Sequence, residues 1–318
     1  MTLLLLLHVA CTSPSKEESE APKESTEDST TDSEVQDKLL SVELRKPSAT
    51  DINTRETLDL QVIATYESGE VDVTADSSFS SSDEEVIRFF TPGKGQPIRG
   101  GQTTISVHSD LNGGTDFDTF EVNVLASLVQ PGELVLNEIL ADPATDADPN
   151  GDGVMDPVQD EFLEIANKTG VTVDISGVSI YDVETETPRH TFPLGTLLRA
   201  GEALVVFGGG SVSTLFQPNV RFEVATNSDV GLKLGLALNN EGDRPALKLQ
   251  DGTVICDTGY GTQGSNDVIE DASLVLSPDV SGTTYSHHRY VQNSVGNQSP
   301  GTYSDGSPFP GAEAYYSQ

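Results

Sequence analysis

Tryptophan is absent from this chain of 318 residues, cysteine occurs only twice, and Lys and Arg together number 17. With only Cys11 and Cys256, the chain cannot have the disulfide framework that holds many small secreted folds together. Its apolar runs are too short to span a bilayer as a helix, and no stretch sustains the 3.6-residue period of an amphipathic helix. These absences exclude a disulfide scaffold and argue against a helical fold.

Acidic residues far outnumber basic ones, and the formal net charge is −34. Such a charge repels the phosphate backbone of nucleic acids, so binding to DNA or RNA is not expected. Cations and uncharged surfaces are the partners that this charge permits. A second interpretation is that the acidic surface only keeps the protein soluble.

The segment 39–126 contains short runs in which every second residue is apolar, separated by Gly, Asn and Asp. Period-two runs of this kind predict an antiparallel β-sandwich. The runs are Val42 and Leu44; Leu58, Leu60 and Val62; Val71 and Val73; Ile105 and Val107; and Phe120, Val122 and Val124.

The order of motifs in this segment resembles a bacterial immunoglobulin-like domain of the group 2 kind. The resemblance implies a spacer or adhesive module of a surface protein, and it is interrupted at Thr91–Gly100, which is irregular and rich in Pro and Gly. The matching motifs are Leu58–Tyr66, Asp72-Val73-Thr74, Phe79-Ser80-Ser81-Ser82-Asp83, Val86-Ile87, Gly101 and Thr104-Ile105-Ser106-Val107.

Residues 1–11 contain the apolar run Leu3–Leu7 and end in Ala10-Cys11. The run suits the core of a signal peptide, and its end resembles a bacterial lipoprotein signal, in which the cysteine becomes the lipidated first residue. We therefore expect lipidation of Cys11 and an anchor in the bacterial cell envelope, at the outer membrane or cell surface. His8 is unusual for such a signal and no basic residue precedes the run, so we also expect a start further upstream. A fortuitous apolar N-terminus is the alternative.

Residues 12–38 consist mostly of Ser, Thr, Glu, Asp and Lys. A segment with so few apolar residues cannot offset the entropy of ordering, so it is predicted to be a disordered acidic tether. A flexible chain of this length has an end-to-end distance of about 25–30 Å. That would hold folded domains clear of a membrane.

After a short linker at 127–132, the segment 133–301 again shows strands and turns, and 302–318 is predicted to be a C-terminal tail. Asp251-Gly252 between Leu247–Leu249 and Val254-Ile255 predicts a β-hairpin. Six motifs occur in an order that resembles the lamin-tail domain, which implies a second immunoglobulin-like sandwich. They are Leu136-Asn137-Glu138-Ile139, Glu161–Asn167, Asp174-Ile175-Ser176-Gly177, Ala200-Gly201-Glu202, Leu238–Asp243 and Ser299-Pro300-Gly301.

An acidic loop between the first two of these motifs holds the candidate ion site. Its oxygens follow the spacing at the front of a calcium loop, and a ligand set without histidine favours a hard cation, Ca²⁺. Gln159 stands where an EF-hand has its bidentate Glu, and no helices flank the loop, so an EF-hand is excluded. A merely solvated Asp- and Gly-rich loop is the alternative. The candidate ligands are Asp148, Asn150, Asp152, the Val154 carbonyl, Asp156, Asp160 and Glu161.

No pattern of residues indicates catalysis. A Gly-x-Ser-x-Gly elbow, zinc spacing and a phosphate-binding Gly-rich loop before a helix are all absent from the sequence. Glu161 and Glu164 could act as paired carboxylates in glycoside hydrolysis, but their positions match a structural strand of the lamin-tail family. His287 and His288 are interpreted as part of a polar edge or loop, and Cys256 as a small buried hydrophobe.

These observations predict an all-β protein with two immunoglobulin-like β-sandwich domains in tandem after a disordered acidic stalk. Its expected role is non-catalytic: a lipid-anchored bacterial surface protein that binds an unknown surface protein or polysaccharide, or scaffolds the envelope. The alternative is an accessory module that positions a separate secreted hydrolase, of the nuclease or phosphatase type, on its substrate. The sequence leaves the oligomeric state open.

Overall fold

The computed structural model describes residues 37–112, 116–182, 188–226, 235–267 and 270–312. Within these ranges the named elements are β-strands and four single-turn 3-10 segments, which confirms the all-β fold class. The predicted leader 1–11 and nearly all of the predicted tether 12–38 lie outside the described residues, so the structure leaves both as predictions. In the described part of the chain, no helix is both long and apolar enough to cross a membrane.

The first half of the described chain contains ten strands. They form three small sheets, with strand orders β1-β4-β5, β2-β10-β9-β6 and β3-β8-β7. The strands are β1 (Leu39–Arg45), β2 (Asp51–Asn53), β3 (Leu58–Asp59), β4 (Gln61–Tyr66), β5 (Gly69–Asp72), β6 (Ser78–Ser81), β7 (Ile87–Thr91), β8 (Lys94–Pro97), β9 (Gly101–His108) and β10 (Asp116–Leu125).

The alternation predicted for this half is visible in its core. Along β9, Thr103, Ile105 and Val107 are buried and the residues between them are not, so one face of the strand lies on the core. Val122 and Val124 of the paired strand β10 join the same hydrophobic cluster. Alternate residues on one face of an antiparallel pair thus form a sandwich core.

The irregular stretch at Thr91–Gly100 contains a β-hairpin. Strands β7 and β8 pair antiparallel across a turn at Pro92-Gly93. Gly93 has φ +75°, and a Cβ there would lie 2.5 Å from the Leu60 carbonyl oxygen, so only glycine fits this turn. The stretch that looked irregular in sequence is therefore the turn and second strand of an ordered hairpin.

The second half of the described chain contains thirteen strands. Two main sheets, ordered β19-β18-β13-β12-β22-β23 and β16-β15-β20-β21, accompany a small sheet, β11-β14-β17. The strands are β11 (Ser127–Leu128), β12 (Leu134–Leu140), β13 (Phe162–Asn167), β14 (Val173–Asp174), β15 (Ser179–Tyr181), β16 (His190–Thr191), β17 (Leu197–Leu198), β18 (Ala203–Phe207), β19 (Val220–Val224), β20 (Ala246–Lys248), β21 (Val254–Asp257), β22 (Leu274–Ser277) and β23 (Thr284–His287).

One large hydrophobic cluster joins the two main sheets of this half. Leu163 and Ile165 from β13 meet Ile180 from β15 and Leu247 from β20 in this core. The predicted hairpin is present, since β20 and β21 pair antiparallel across Asp251-Gly252. This half is therefore a β-sandwich, as expected.

The six-stranded sheet is also buried on its outer face. Phe162, Glu164 and Ala166 alternate with the core residues of β13 and so point away from the main core. Phe162 belongs to one small apolar cluster with Leu140 and Phe207, and Ala166 belongs to another with Ala203 and Phe309. Glu164 lies between these two clusters, at a position where an apolar residue would be expected.

Hydrogen bonds to the first half hold the segment predicted to be a linker, since the Ser127 amide donates to Thr54 Oγ1 at 3.1 Å and Arg55 Nη2 donates to the Leu128 carbonyl at 2.8 Å. Thr54 Oγ1 donates to the Thr172 carbonyl at 2.7 Å, and Thr172 Oγ1 donates to the Ile98 carbonyl. Arg55 forms an ion pair with Glu133, with Nη2 at 3.0 Å from Oε2. The described chain from Leu39 onward is one compact unit, in which these contacts join the two sandwiches.

Candidate functional site

A β-bulge in β12 creates the most unusual chemical environment in the second sandwich. Leu136 pairs with Ile165, but the next pairing joins Glu138 to Glu164, so Asn137 is an extra residue. The bulge thereby places two glutamates directly opposite each other on neighbouring strands, an arrangement that is unfavourable for like charges. Both side chains are 0% exposed. Such a pair requires compensation from its surroundings.

Glu138 receives its hydrogen bonds from two serines far along the chain. Ser273 Oγ donates to Oε1 at 2.6 Å, the Ser299 amide donates to Oε1 at 2.9 Å, and Ser299 Oγ is 2.7 Å from Oε2. His288 completes the chain of contacts, with Nε2 at 2.9 Å from Ser299 Oγ and Nδ1 at 3.0 Å from the Gly296 carbonyl. Each oxygen of Glu138 therefore has a donor.

Glu164 shares the Asn137 amide with a third carboxylate, Asp279. Asn137 Nδ2 donates to Glu164 Oε1 at 2.8 Å and to Asp279 Oδ1 at 3.2 Å. The Gly301 amide donates to Glu164 Oε2 at 2.7 Å. We call Glu138, Glu164 and Asp279 the carboxylate clamp, because each of them binds the same segment of chain.

That segment, residues 296–311, is here called the C-terminal strap. Beyond its bonds to the two glutamates, Ser304 Oγ donates to Asp279 Oδ2 at 2.7 Å. Phe309 is buried on the outer face of the six-stranded sheet, and the Gly311 amide donates to the Gly201 carbonyl at 3.0 Å. The first part of the predicted tail, residues 302–311, therefore packs on the sandwich, while residues 313–318 lie outside the described residues.

Burial dominates the protonation of the clamp. It raises the pKa of Glu138, although the neighbouring His288 and the serine hydrogen bonds act in the opposite direction. Burial raises the pKa of Glu164 well above the ordinary value, and the charges of Glu138 and Asp279 raise it further. The fold therefore favours a protonated Glu164.

Ser299 and His288 have the separation of a nucleophile and its base but not the access that catalysis requires. Ser299 is 5% exposed and His288 is 0% exposed. The serine hydroxyl is also held by Glu138, and His288 Nδ1 lies against a backbone carbonyl. A substrate carbonyl could not approach this hydroxyl without displacing the strap, so the group is structural as it stands.

The acidic loop satisfies its carboxylates in a different way, through its own backbone. Asp148 accepts from the amides of Asp152 and Gly153, at 3.2 and 2.8 Å. Asp152 accepts from the Val154 amide at 2.8 Å and, across to the next loop, from the Ser211 amide at 3.1 Å. Among the described residues, these backbone hydrogen bonds give the loop a defined conformation without the help of a Lys or Arg side chain.

Asp156, Asp160 and Asn150 close the same loop. Asp160 accepts from the Asp156 amide at 2.8 Å, and Asp156 accepts from the amides of Val158 and Gln159 at 2.9 and 3.1 Å. Those two amides lower the pKa of Asp156. Asn150 is fully buried, with Nδ2 at 3.3 Å from the Gly209 carbonyl.

Three of the candidate calcium ligands are close enough to repel one another. Burial raises the pKa of Asp160, and the charges of Asp148 and Asp152 add to the rise. Glu161 points elsewhere, since its Oε2 accepts from the Leu238 amide at 3.0 Å. In the described part of the chain, no three His, Cys, Asp or Glu side chains are arranged as a ready metal site. Calcium at this loop therefore stays a prediction.

Three further side chains of types used in catalysis, Ser211, His190 and Cys256, do not come together in one site. Ser211 is tied to Asp152 through its amide, and its hydroxyl is 3.1 Å from Ser213 Oγ. His190 is buried on β16, with Nε2 at 3.1 Å from Glu223 Oε2. Burial raises the pKa of Cys256 to about 12, which makes it a poor nucleophile at neutral pH.

The sequence motifs contained the clamp glutamates and two of their partners, Ser299 and Gly301, but not the others. Ser273, Asp279 and His288 have no motif spacing that links them to Glu138 or Glu164, which they meet through contacts spanning more than 100 residues. His288 was expected at a polar edge, and it does follow the edge strand β23, yet its own side chain is buried. A buried Glu in the middle of a strand is the one local signal that such partners exist.

Residues 129–262 match the family model of the Lamin Tail Domain. The match covers less than half of the chain, and it confirms the predicted resemblance over that segment. The predicted group 2 immunoglobulin-like domain and the lipoprotein signal stay predictions. No curated protein matches the chain.

Two solved structures show a slight similarity to this chain. A DUF4876 family protein from Bacteroides thetaiotaomicron is 13% identical, with a TM-score of 0.25 over 54% of this chain and 61% of that one. Domains 4–9 of the surface layer protein SbsC are 12% identical, with a TM-score of 0.21 over 73% of this chain and 32% of that one. The chain thus spans less than two thirds of either structure, and similarity at this level does not define a common fold.

Proposed function

We propose that this chain is a non-catalytic surface protein of a bacterial envelope, anchored by lipid at Cys11. In this proposal an immunoglobulin-like spacer carries a lamin-tail-like sandwich whose loops bind a surface protein or polysaccharide. The proposal rests on the burial of four polar motif residues, Asn137, Glu138, Glu164 and Ser299. These polar motif residues are buried in contacts that build the fold, whereas several loop residues, among them Val154, Met155 and Leu194, are exposed.

The junction between the sandwiches suits such a role. Arg199 of the second sandwich forms an ion pair with Glu85 of the first, at 2.9 Å between Nη1 and Oε2. Together with the Thr54–Thr172 and Arg55–Glu133 contacts, it fastens one sandwich to the other at several points. A spacer fixed in this way presents its partner domain in one orientation, which favours binding to an extended surface.

Lipid anchoring is tested by labelling the full chain with a fatty acid in a bacterial host. We expect label on the wild type and none on Cys11→Ala, with the wild type in the membrane fraction. Cys256→Ala is the matched control and should keep its label, because Cys256 is a largely buried thiol within β21. Label that persists in Cys11→Ala would refute the anchor.

We also propose that calcium binds the acidic loop. The repulsion among Asp148, Asp152 and Asp160 supports this, since a divalent cation would remove it. With a dissociation constant of roughly 0.1–1 mM, calcium at ten times that concentration would add about 1.4 kcal/mol of stability. For a folded unit of this size that is about 2–3 °C in melting temperature.

Thermal melts in calcium and in chelator test the site. Asp152→Ala should lose the calcium effect, whereas Asp251→Ala should keep it. Asp251 is a suitable control because it also caps the amide two residues on, at 2.9 Å, but lies in the β20–β21 turn. Equal melting temperatures of the wild type in the two solutions would exclude a structural calcium ion.

The partner is tested by crosslinking the protein on intact cells and identifying what is recovered. A surface polysaccharide or an abundant surface protein supports the proposal. Recovery of a single secreted hydrolase would instead favour the accessory role.

A further inference from the structure

Protons in the clamp can be counted from its hydrogen bonds. His288 Nδ1 faces only a carbonyl, so it carries a proton, and the single Ser299 proton lies between His288 and Glu138. If serine donates to Glu138, then Nε2 must donate to serine and the imidazole is charged. If serine donates to Nε2, then Glu138 must hold a proton. In both cases Glu138 and His288 together are neutral.

Glu164 has no such partner of opposite charge. Its neighbours are Glu138 on β12, Asp279 after β22 and the Asn137 amide, whereas His288 is linked through Ser299 to Glu138 and not to Glu164. Among the described residues, no Lys or Arg pairs with any of the three clamp carboxylates. An ionised Glu164 would be a second uncompensated negative charge beside Asp279, in a place that water does not reach.

The layer that keeps water from Glu164 is the C-terminal strap. Gly301 lies directly on its Oε2, and Ser299 and Ser304 bind the other two clamp carboxylates on either side. An ionised Glu164 can therefore recover its hydration only if the strap moves away. Protonation of Glu164 and closure of the strap are thus coupled.

We propose that the carboxylate clamp is a proton-dependent latch, in which the proton held at Glu164 keeps the C-terminal strap closed and its loss as the pH rises lets the strap open. Opening uncovers the outer face of the six-stranded sheet beside Ala166 and Ala203, from which Phe309 withdraws. The device needs no ligand and does not depend on the lipid anchor or on calcium.

Hydrogen exchange of the full chain, followed by NMR from pH 6 to pH 9, tests the latch. Protection factors, which correct for the intrinsic pH dependence of exchange, should fall about tenfold or more for the amides of Ser299, Gly301 and Ser304. Those of Ile165 and Val205, in the paired strands β13 and β18, should change much less. Strap protection that does not change with pH would overturn the proposal.

Two variants separate the latch from general loosening. Glu164→Gln should remove the pH dependence, whereas Glu223→Gln, in the same sheet but outside the clamp, should keep it. Asp279→Asn provides a second test in case Glu164→Gln does not fold, because Asp279 is only partly buried and tolerates substitution better. It removes a neighbouring negative charge that raises the pKa of Glu164, so the loss of protection should move to lower pH by about one unit. Two results would contradict the latch. One is a loss of strap protection at the wild-type pH in Asp279→Asn, and the other is a wild-type pH dependence of strap protection in Glu164→Gln.

Discussion

Carboxylates in two parts of the second sandwich are stabilised in opposite ways. In the clamp, Glu138 and Glu164 are buried and depend on donors from distant parts of the chain. In the acidic loop, Asp148 and Asp156 accept hydrogen bonds from amides only a few residues away, and many residues of the loop are exposed to solvent. A carboxylate therefore stabilises tertiary contacts in the clamp and a local turn in the acidic loop.

The largest expected effect comes from removing Glu138. Glu138→Ala leaves the donors of Ser273 and Ser299 unsatisfied beneath the strap and should lower the free energy of unfolding by about 3 kcal/mol or more. Urea denaturation followed by circular dichroism measures it. A loss below about 1 kcal/mol would show that the clamp is no more important than the loop.

The next effect is on the pH dependence of stability, and its sign differs between the two regions. The fold raises the pKa of Glu164, so the stability that its proton gives is complete below about pH 4.3 and is lost as the pH rises through the folded value. The fold lowers the pKa of Asp156, so the stability from that group is lost as the pH falls below about 4.

Denaturation at several pH values checks this difference. Between pH 5 and pH 8 the unfolding free energy of the wild type should decline more steeply than that of Glu164→Gln. Asp156→Asn should follow the wild type over this range and differ from it only in acid. Parallel curves for wild type and Glu164→Gln would show that Glu164 does not hold its proton in the folded state.

A smaller effect is expected for an uncharged buried group, Thr172. Thr172→Val keeps the side-chain shape but leaves the Ile98 carbonyl without its donor, which should cost about 1–2 kcal/mol. Thermal melts of Thr172→Val and of Thr119→Val, an exposed position on β10, would separate the loss of the junction bond from the effect of the substitution itself. Equal losses would mean that the junction bond contributes nothing of its own.

The smallest effect is expected in the acidic loop. Asp156→Ala removes a cap on two amides that water can replace, so the loss should stay below about 1 kcal/mol in chelator. Urea denaturation of the same preparation measures it. A loss as large as that of Glu138→Ala would show that the carboxylates of the loop contribute as much stability as those of the clamp.

The sequence predicted the parts of this fold that depend on local pattern. Alternation at Ile105 and Val107 predicted a half-buried strand, and Asp251-Gly252 predicted the hairpin, because both signals lie within a few residues. The motif containing Asn137 and Glu138 lies in β12, where both side chains are buried and hydrogen-bonded to other parts of the fold. Its bulge was not foreseen, since one inserted residue leaves no trace in a pattern of apolar residues.

The rest depends on contacts that no local pattern specifies. Glu138 meets Ser273 and Ser299 only after the chain has passed through the whole sandwich. The segment expected to be a linker is held by Thr54 and Arg55, which lie in the other half. Polar contacts over such distances follow from the final packing, so the donors of a buried Glu can be expected in advance but not identified.

Ser273 and Ser299, the partners of Glu138, lie late in the chain, which constrains the order of folding during synthesis. β12 pairs with β22, and its glutamate is covered only when Ser299 arrives, so the second sandwich cannot close until almost all of its chain is available. Until then, two strands rich in apolar residues carry an unmatched pair of acids between them. The first sandwich has its own core and can fold while the second is still incomplete. Synthesis from the N-terminus thus completes the first sandwich before the second.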